Sequence, residues 1–147
     1  MEDFNLDDII NHRIAILATL IKRHIFRIIS EKNLDITPDQ WVVLHYLWQE
    51  NGLSIGDIAN RSKKDFANVT RIVDRLKSMG YVSKRKSKTD GRSFNVYILP
   101  KADEIRNDIQ NCWQRSSEEA LNGITKSEQN QLLDILDKIE RNVMSNL

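Results

Sequence analysis

The sequence predicts a mainly α-helical protein with one small β-hairpin, in the order α-α-α-α-β-β-α-α. Apolar residues recur at three- and four-residue steps across residues 66–79, which predicts an amphipathic helix that ends at Gly80. Alternating apolar residues across 81–98, interrupted by the turn pair Asp90-Gly91, predict a hairpin directly after it. A polar-faced helix followed at once by a basic hairpin is typical of a winged helix-turn-helix.

Positive charge is concentrated on this helix and hairpin. Residues 61–92 hold eleven Lys and Arg against three acidic residues, a net charge of +8, while the other 115 residues carry a net charge of −7. A local basic surface binds phosphates because it releases counterions, which a merely soluble protein does not require. The distribution therefore favours a nucleic-acid-binding protein over one with an ordinary solvated charged face.

The first predicted helix covers residues 6–33, about seven turns, with Asp7 and Asp8 in its first turn. Its apolar stripe is too broad for one neighbouring element to cover, so a partner subunit is expected. The second helix starts at Thr37-Pro38, with Gln40 completing a capping box. Its aromatic residues are expected in the core.

A short third helix is predicted to start at Ser54 as the N-cap, with Asp57 three residues later, and to end near Arg61. Residues 54–80 then have the size of a helix-turn-helix, and a short third strand is expected at Leu53. The inward face of the fourth helix, residues 63–80, is predicted to hold Phe66, Val69, Ile72, Val73, Leu76 and Met79. Its outward face is predicted to hold Lys63, Lys64, Asn68, Thr70, Arg71, Asp74 and Arg75.

The hairpin is predicted to have a basic tip from Lys84 to Arg92. Pro100 ends the second strand, and a helix follows across about 102–122. Thr125 and Glu128 form another capping box, which opens a last helix.

Length, apolar runs and the absence of known motifs limit the class of protein that this sequence can form. The length is that of one ordinary domain, and no apolar run approaches the ~20 residues that cross a bilayer. The N-terminus is acidic where a signal peptide would be basic, so a cytoplasmic location is expected by default. We find no phosphate loop, nucleophile elbow or metalloprotease motif, and we therefore expect no enzyme activity and no cofactor.

No metal site is expected either. His12 and His24 lie about 18 Å apart on one predicted helix, and His45 is distant in sequence. The single cysteine, Cys112, lies on an apolar face and is predicted to be a buried, inert thiol; the sequence does not decide whether it is redox-active.

Residues 36–104 resemble the MarR family of bacterial transcription regulators. The resemblance is carried by the strings ITPDQWVVLHYLWQ, LSIGDIANRS, NVTRIVDRLKSMGYVSKRKS and DGRSFNVYILP. It implies a homodimeric repressor of double-stranded, pseudo-palindromic operators, often released by a small-molecule effector. It also implies a dimerisation helix at 1–33, a DNA-binding region at 34–100 and dimerisation helices at 101–147.

By position, the resemblance implies that Arg71 reads bases in the major groove together with Asn68 and Thr70. Arg92 would enter the minor groove, oriented by Asp90, although this pair could equally be a turn-stabilising ion pair. Phosphate contacts would come from Ser54, Lys63, Lys64, Arg75, Lys84, Arg85, Lys86 and Lys88.

One departure from the family pattern follows the hairpin. The family continues into Leu-Thr and a Gly, whereas this chain has Leu99-Pro100-Lys101, so the joint to the next helix is expected to be rebuilt around Pro100. For an effector pocket, Trp41, His45 and Trp113 are the candidates. Two other functions stay open: a winged-helix adaptor that binds protein, and a general DNA-coating protein without a ligand.

Overall fold

The computed structural model describes residues 3–147. After a 3-10 turn at Leu6–Asp8 come α1 (Ile10–Glu31), α2 (Pro38–Gln49), α3 (Ile55–Ser62), α4 (Phe66–Ser78), β1 (Val82–Lys86), β2 (Phe94–Ile98), α5 (Pro100–Ala120) and α6 (Lys126–Met144). This order confirms the predicted fold class. The chain forms two compact units, one ending at Ser116 and the other spanning Ser117–Leu147.

The start of α1 differs from the prediction. The Asn5 side chain accepts a hydrogen bond from the backbone N–H of Asp7 at 3.2 Å, which holds a separate 3-10 turn. Ile9 is then extended, with φ −90° and ψ 120°, and α1 begins only at Ile10. Placing Asp7 and Asp8 in the first turn of the long helix was therefore wrong, because a local side-chain bond competes with the helix there.

The predicted helix starts at α2, α3 and α6 are confirmed. The Thr37 hydroxyl accepts from the N–H of Gln40 at 3.2 Å, and the Gln40 side chain accepts from the N–H of Thr37 at 3.0 Å. Each pair satisfies two N–H groups that have no partner within the helix. The same reciprocal bonds form between Ser54 and Asp57 and between Thr125 and Glu128.

The core of the first unit joins the winged region to the C-terminal part of α1. Ile25, Ile28 and Ile29 of α1 are buried with side chains of α2, α3, α4, both strands and α5. The functional division at residues 33/34 and 100/101 stays a prediction, since this core extends across both limits.

The turn between α3 and α4 changes two predicted positions. Lys63 ends α3 in the left-handed conformation, with φ 57°, and Asp65 caps α4 by accepting from the N–H of Asn68 at 2.7 Å. Lys63 and Lys64 therefore lie in the turn before α4 and not on its outward face, because Asp65 starts the helix after them. Of the predicted inward face, Val69, Val73 and Leu76 are buried.

Phe66 is the exception on that face. Its side chain is 60% exposed, so its assignment to the core was wrong. It is the first residue of α4, and the helix extends over the core only from the next turn onward.

The wing is an antiparallel pair in which Val82 is opposite Ile98 and Lys86 is opposite Phe94. Lys84 to Lys86 therefore belong to β1, and the tip is shorter than the predicted 84–92. The expected third strand is reduced to one bridge between Ser54 and Asn95.

Close backbone packing holds this bridge in place. The N–H of Val96 donates to the carbonyl of Leu53 at 2.8 Å. Gly52, at φ 83°, comes so near to Tyr97 that an added Cβ would lie 2.9 Å from its ring.

Pro100 occupies the first position of α5, as expected for a joint rebuilt around this residue. In the second unit, α6 exposes the apolar residues Leu132, Leu133, Ile135, Leu136 and Val143. Within residues 3–147, none of the helices has the length and apolar character needed to span a membrane.

Candidate nucleic-acid interface

The outward face of α4 presents two unengaged arginines. Arg71 and Arg75 are exposed, and within residues 3–147 their guanidinium groups form no hydrogen bond or ion pair. A guanidinium group offers five N–H donors in a planar fork, which fits a guanine edge or a phosphate. These two side chains are therefore available to an external partner.

Asn68 and Thr70 lie on the same helix but are half-buried. The Thr70 hydroxyl donates to the carbonyl of Phe66 at 2.9 Å. Its proton is therefore engaged within the helix, so Thr70 offers an external partner a methyl group and acceptor lone pairs.

On β1, Lys84 is engaged inside the molecule. Its Nζ lies 2.9 Å from Oδ1 of Asp74 on α4 and 4.7 Å from the centre of the Phe94 ring. The side chain is only 15% exposed. This contact ties the wing to α4, so Lys84 has a positioning function whatever else it binds. Arg85 of the same strand lies over the Tyr97 ring, at 4.5 Å from its centre.

Lys64 is also engaged. Its Nζ lies 2.9 Å from Oδ1 of Asp39, and Nζ of Lys22 lies 3.2 Å from the same oxygen. Burial raises the pKa of the Asp39 carboxyl, but the hydrogen bonds and charges of the two lysines outweigh it, and the pKa lies below its ordinary value. Asp39 thus connects α1, the start of α2 and the turn that leads into α4.

The wing tip, residues 87–93, is organised around Asp90. Its Oδ1 accepts from the backbone N–H of Arg92 at 3.0 Å, and the Ser87 hydroxyl accepts from the N–H of Asp90 at 3.3 Å. Asp90 therefore holds the turn through the backbone of Arg92. The cations of the tip, Lys88 and Arg92, are exposed, as is Lys86 at the end of β1.

The remaining predicted phosphate contacts lie near the same surface. The Ser54 hydroxyl is occupied by its capping bond, and Ser54 is bridged to β2. Lys63 is exposed, with its Nζ 3.3 Å from the carbonyl of Asn60. Arg61 forms an ion pair with Glu50.

A groove joins the wing to the start of α4. It has a volume of about 290 Å³ and is lined by Ser54, Ile55, Gly56, Phe66, Thr70, Lys84, Arg92, Ser93 and Phe94. Phe66 was not predicted to belong to this surface. Its position directly after the N-cap Asp65 was the available indication, because the first turn of a helix often lies beyond the core.

An aromatic cluster lies apart from this surface, between α2 and α5. Trp41 stacks on His45 with ring centres 4.9 Å apart and on Trp113 with ring centres 4.6 Å apart. The indole N–H groups of Trp41 and Trp113 are buried and donate to no acceptor in residues 3–147. Buried donors without an acceptor are rare and destabilising.

Cys112 is buried in the core, and this burial raises the pKa of its thiol. This position agrees with the prediction of a buried thiol. Across the described chain, no cluster of three or more His, Cys, Asp or Glu side chains has an arrangement that could hold a metal ion.

Comparison with known proteins places this geometry in context. Residues 36–94 match the model of the MarR family. The HTH-type transcriptional regulator BilQ of Clostridioides difficile (strain CD3) is 28% identical over 93 residues, which is 61% of this chain. The chain spans 63% of the length of that relative and 51% of the length of a second curated relative.

Among solved structures, the MarR protein from Peptoclostridium difficile superposes with a TM-score of 0.86 at 25% identity, covering 99% of this chain and 94% of the other. Bordetella bronchiseptica BpsR, described with regulation of its DNA binding by 6-hydroxynicotinic acid, superposes with a TM-score of 0.84 at 17% identity. That match covers 94% of this chain and 97% of the other and shows a shared fold.

Proposed function

Because the chain belongs to the MarR family, we propose that it is a sequence-specific DNA-binding transcription regulator, a homodimeric repressor on a pseudo-palindromic operator and not an enzyme. The observation that carries this proposal is the outward face of α4, where Arg71 and Arg75 are exposed and unengaged beside a basic hairpin. A helix of this kind docks in the major groove, and the wing follows the flanking backbone.

The proposed role of each side chain follows from whether it already forms an ion pair or hydrogen bond within the molecule. Arg71 reads a base edge, with Asn68 and Thr70 beside it. Arg92 reaches the minor groove from the tip that Asp90 holds, and the remaining predicted contacts meet phosphates. Lys84 and Lys64 would meet phosphates with ammonium groups that already pair with an internal carboxylate, Asp74 or Asp39.

Dimerisation is supported by apolar surface on the N-terminal part of α1. Ile10 is 66% exposed and Leu17 is 56% exposed, on the helix whose C-terminal part is buried in the core. Exposed apolar residues in a row along one helix are typical of a subunit interface. Separately, the exposed apolar residues of α6 are also proposed to be covered by a second copy. A two-fold dimer then accounts for a pseudo-palindromic operator.

The aromatic cluster supports release by a small molecule. Trp41 and Trp113 are already stacked on each other, so an effector would bind at the edge of the pair, where their buried indole N–H groups would donate to its oxygen atoms. We propose an aromatic carboxylate as the effector class. BpsR, whose DNA binding is described as regulated by 6-hydroxynicotinic acid, is consistent with that class.

The decisive experiment is selection of preferred duplexes from a random library, followed by fluorescence anisotropy over a salt series. We expect one dimer per site, affinity that falls steeply with salt, and a preference of ~10³ or more over scrambled DNA. Salt-sensitive binding without preference would instead support a general DNA-coating protein. Absence of binding at low salt would favour the protein-binding adaptor.

Effector release is tested on the resulting complex with 6-hydroxynicotinate and benzoate as probes. A Trp48→Phe background leaves Trp41 and Trp113 as the two tryptophan fluorophores, which are excited selectively at wavelengths where tyrosine does not absorb. We expect quenching of this emission at the probe concentrations that release DNA. Trp113→Phe keeps an aromatic ring and removes one N–H donor, so it should weaken binding of the probe and leave DNA affinity unchanged. Release without quenching would contradict a site at the cluster.

A further inference from the structure

Phe66 is the largest apolar side chain exposed on the surface that α4 and the wing form together. It is 60% exposed and occupies the first position of α4. The N-terminal residues of a helix in the major groove are those that contact base edges. A single exposed apolar residue is ordinary on a protein surface, so its surroundings decide what it does.

Those surroundings form an apolar surface with a cationic rim. Phe66 lines the groove of about 290 Å³ together with Ile55 and Phe94, while Lys84 and Arg92 line the same groove. The cations would hold a phosphate backbone near the groove, and the apolar side chains would then contact whatever part of the duplex enters it.

Thr70 adds a second apolar group one turn from Phe66. Because its hydroxyl proton is engaged by the carbonyl of Phe66, Thr70 offers a base its methyl group and acceptor lone pairs but no donor. Two apolar groups one turn apart on α4 form a surface that cannot donate to a guanine or adenine edge. The major groove carries one apolar feature that fits such a surface, the C5-methyl group of thymine.

We propose that Phe66, with the methyl group of Thr70, recognises the C5-methyl group of a thymine in each half of the operator. This inference rests on the proposed DNA-binding function and specifies one base, a thymine, in each half of the operator. Phe66 acts by apolar contact, beside the hydrogen-bonding contact assigned to Arg71.

The experiment replaces each thymine of the selected operator, one at a time, by deoxyuridine. Deoxyuridine keeps every hydrogen-bonding group of thymine and lacks only the methyl group. Affinities are measured by anisotropy at one salt concentration for the wild-type protein, Phe66→Ala and Phe66→Leu. We expect one thymine in each half-site whose replacement weakens wild-type binding about fourfold, the effect of losing one buried methyl group.

In Phe66→Ala this penalty should disappear, and in Phe66→Leu a part of it should remain. Lys77→Ala, a change on the same helix, should keep the full penalty. Thermal unfolding should change little in Phe66→Ala, since the side chain lies outside the core.

Two results would overturn the inference: tolerance of deoxyuridine at every position, or an equal penalty in wild-type protein and Phe66→Ala. Weaker binding of Phe66→Ala without loss of the penalty would assign Phe66 to stacking or to general contact and would also overturn it. In all these cases wild-type preference for the operator over scrambled DNA would leave the proposed function standing. Failure to prefer any sequence would overturn the proposed function itself.

Discussion

Helix α4 and strand β1 carry the same kind of charge but engage it differently. Arg71 and Arg75 of α4 are exposed and unengaged, whereas Lys84 of β1 is largely covered and contacts Asp74 and Phe94, and Arg85 lies over Tyr97. A net charge of +8 over residues 61–92 therefore overstates the charge that is free to meet phosphate. The ion pair of Lys84 holds the wing on α4 and so determines where the exposed cations of the wing lie.

The largest expected effect is on the α4 side of this comparison. Arg71→Ala should reduce affinity for the selected operator by about 1–3 kcal/mol while leaving affinity for scrambled DNA nearly unchanged, because a bidentate base contact is lost. Anisotropy against both duplexes measures this difference. Lys77→Ala, an exposed cation on the same helix, is the control and should affect both duplexes slightly and equally. An equal loss on both duplexes for Arg71→Ala would contradict a base-reading role.

The contact between Lys84 and Asp74 is tested by whether its loss strengthens or weakens DNA binding. Asp74→Asn makes the surface more positive, and simple electrostatics would predict tighter DNA binding. If the contact with Lys84 holds the wing in place, the variant should instead bind all DNA about three- to tenfold more weakly, about 0.7–1.4 kcal/mol.

Asp108→Asn, an exposed acid on α5, is the control for Asp74→Asn and should bind DNA unchanged or slightly more tightly. Anisotropy with operator and scrambled duplexes measures both variants. Tighter binding by Asp74→Asn would show that the ion pair does not position the wing.

The helix starts and the ion pairs of this surface also show what the sequence could and could not predict. Helix starts at Thr37, Ser54 and Thr125 were predictable because a capping box lies within four residues, and the element order followed from local periodicity. The contacts of Lys84 with Asp74 and of Lys64 with Asp39 join different elements, and charge counting cannot assign such pairs.

The predictions for Phe66 and for the start of α1 were wrong for a different reason. Phe66 fits the helical periodicity, but periodicity alone cannot say where along a helix the core ends. At α1, the bond from Asp7 to Asn5 competes with continuation of the helix. Base-reading and phosphate roles stay predictions, because they depend on a partner that neither periodicity nor packing describes.

A smaller effect is expected at the free end of the wing. Lys86→Ala should weaken operator and scrambled DNA by the same factor and lower the slope of log affinity against log salt concentration by about 0.9, the value for one phosphate contact in duplex DNA. Lys138→Ala in α6 is the control and should leave the slope unchanged. An unchanged slope for Lys86→Ala would remove it from the proposed interface.

The smallest effect concerns Lys64, the engaged cation before α4. Asp39→Asn removes the carboxylate that Lys64 and Lys22 share, and an ion pair of this exposure stabilises a protein by at most about 1 kcal/mol. The pKa of Asp39 in the folded protein lies below its ordinary value of 3.8. A depressed carboxyl pKa stabilises the folded state above the unfolded-state pKa, and this stabilisation is lost as the pH falls through the folded-state pKa.

Thermal unfolding at one protein concentration should therefore give Asp39→Asn a melting temperature a few degrees below that of the wild-type protein at pH 7. The difference should persist down to about pH 5 and shrink as the pH falls below the ordinary carboxyl pKa of 3.8. A difference that stays constant down to pH 3 would assign the loss to the packing at the start of α2. A difference that shrinks, together with DNA affinity above that of the wild type, would show that Asp39 holds Lys64 back from phosphate.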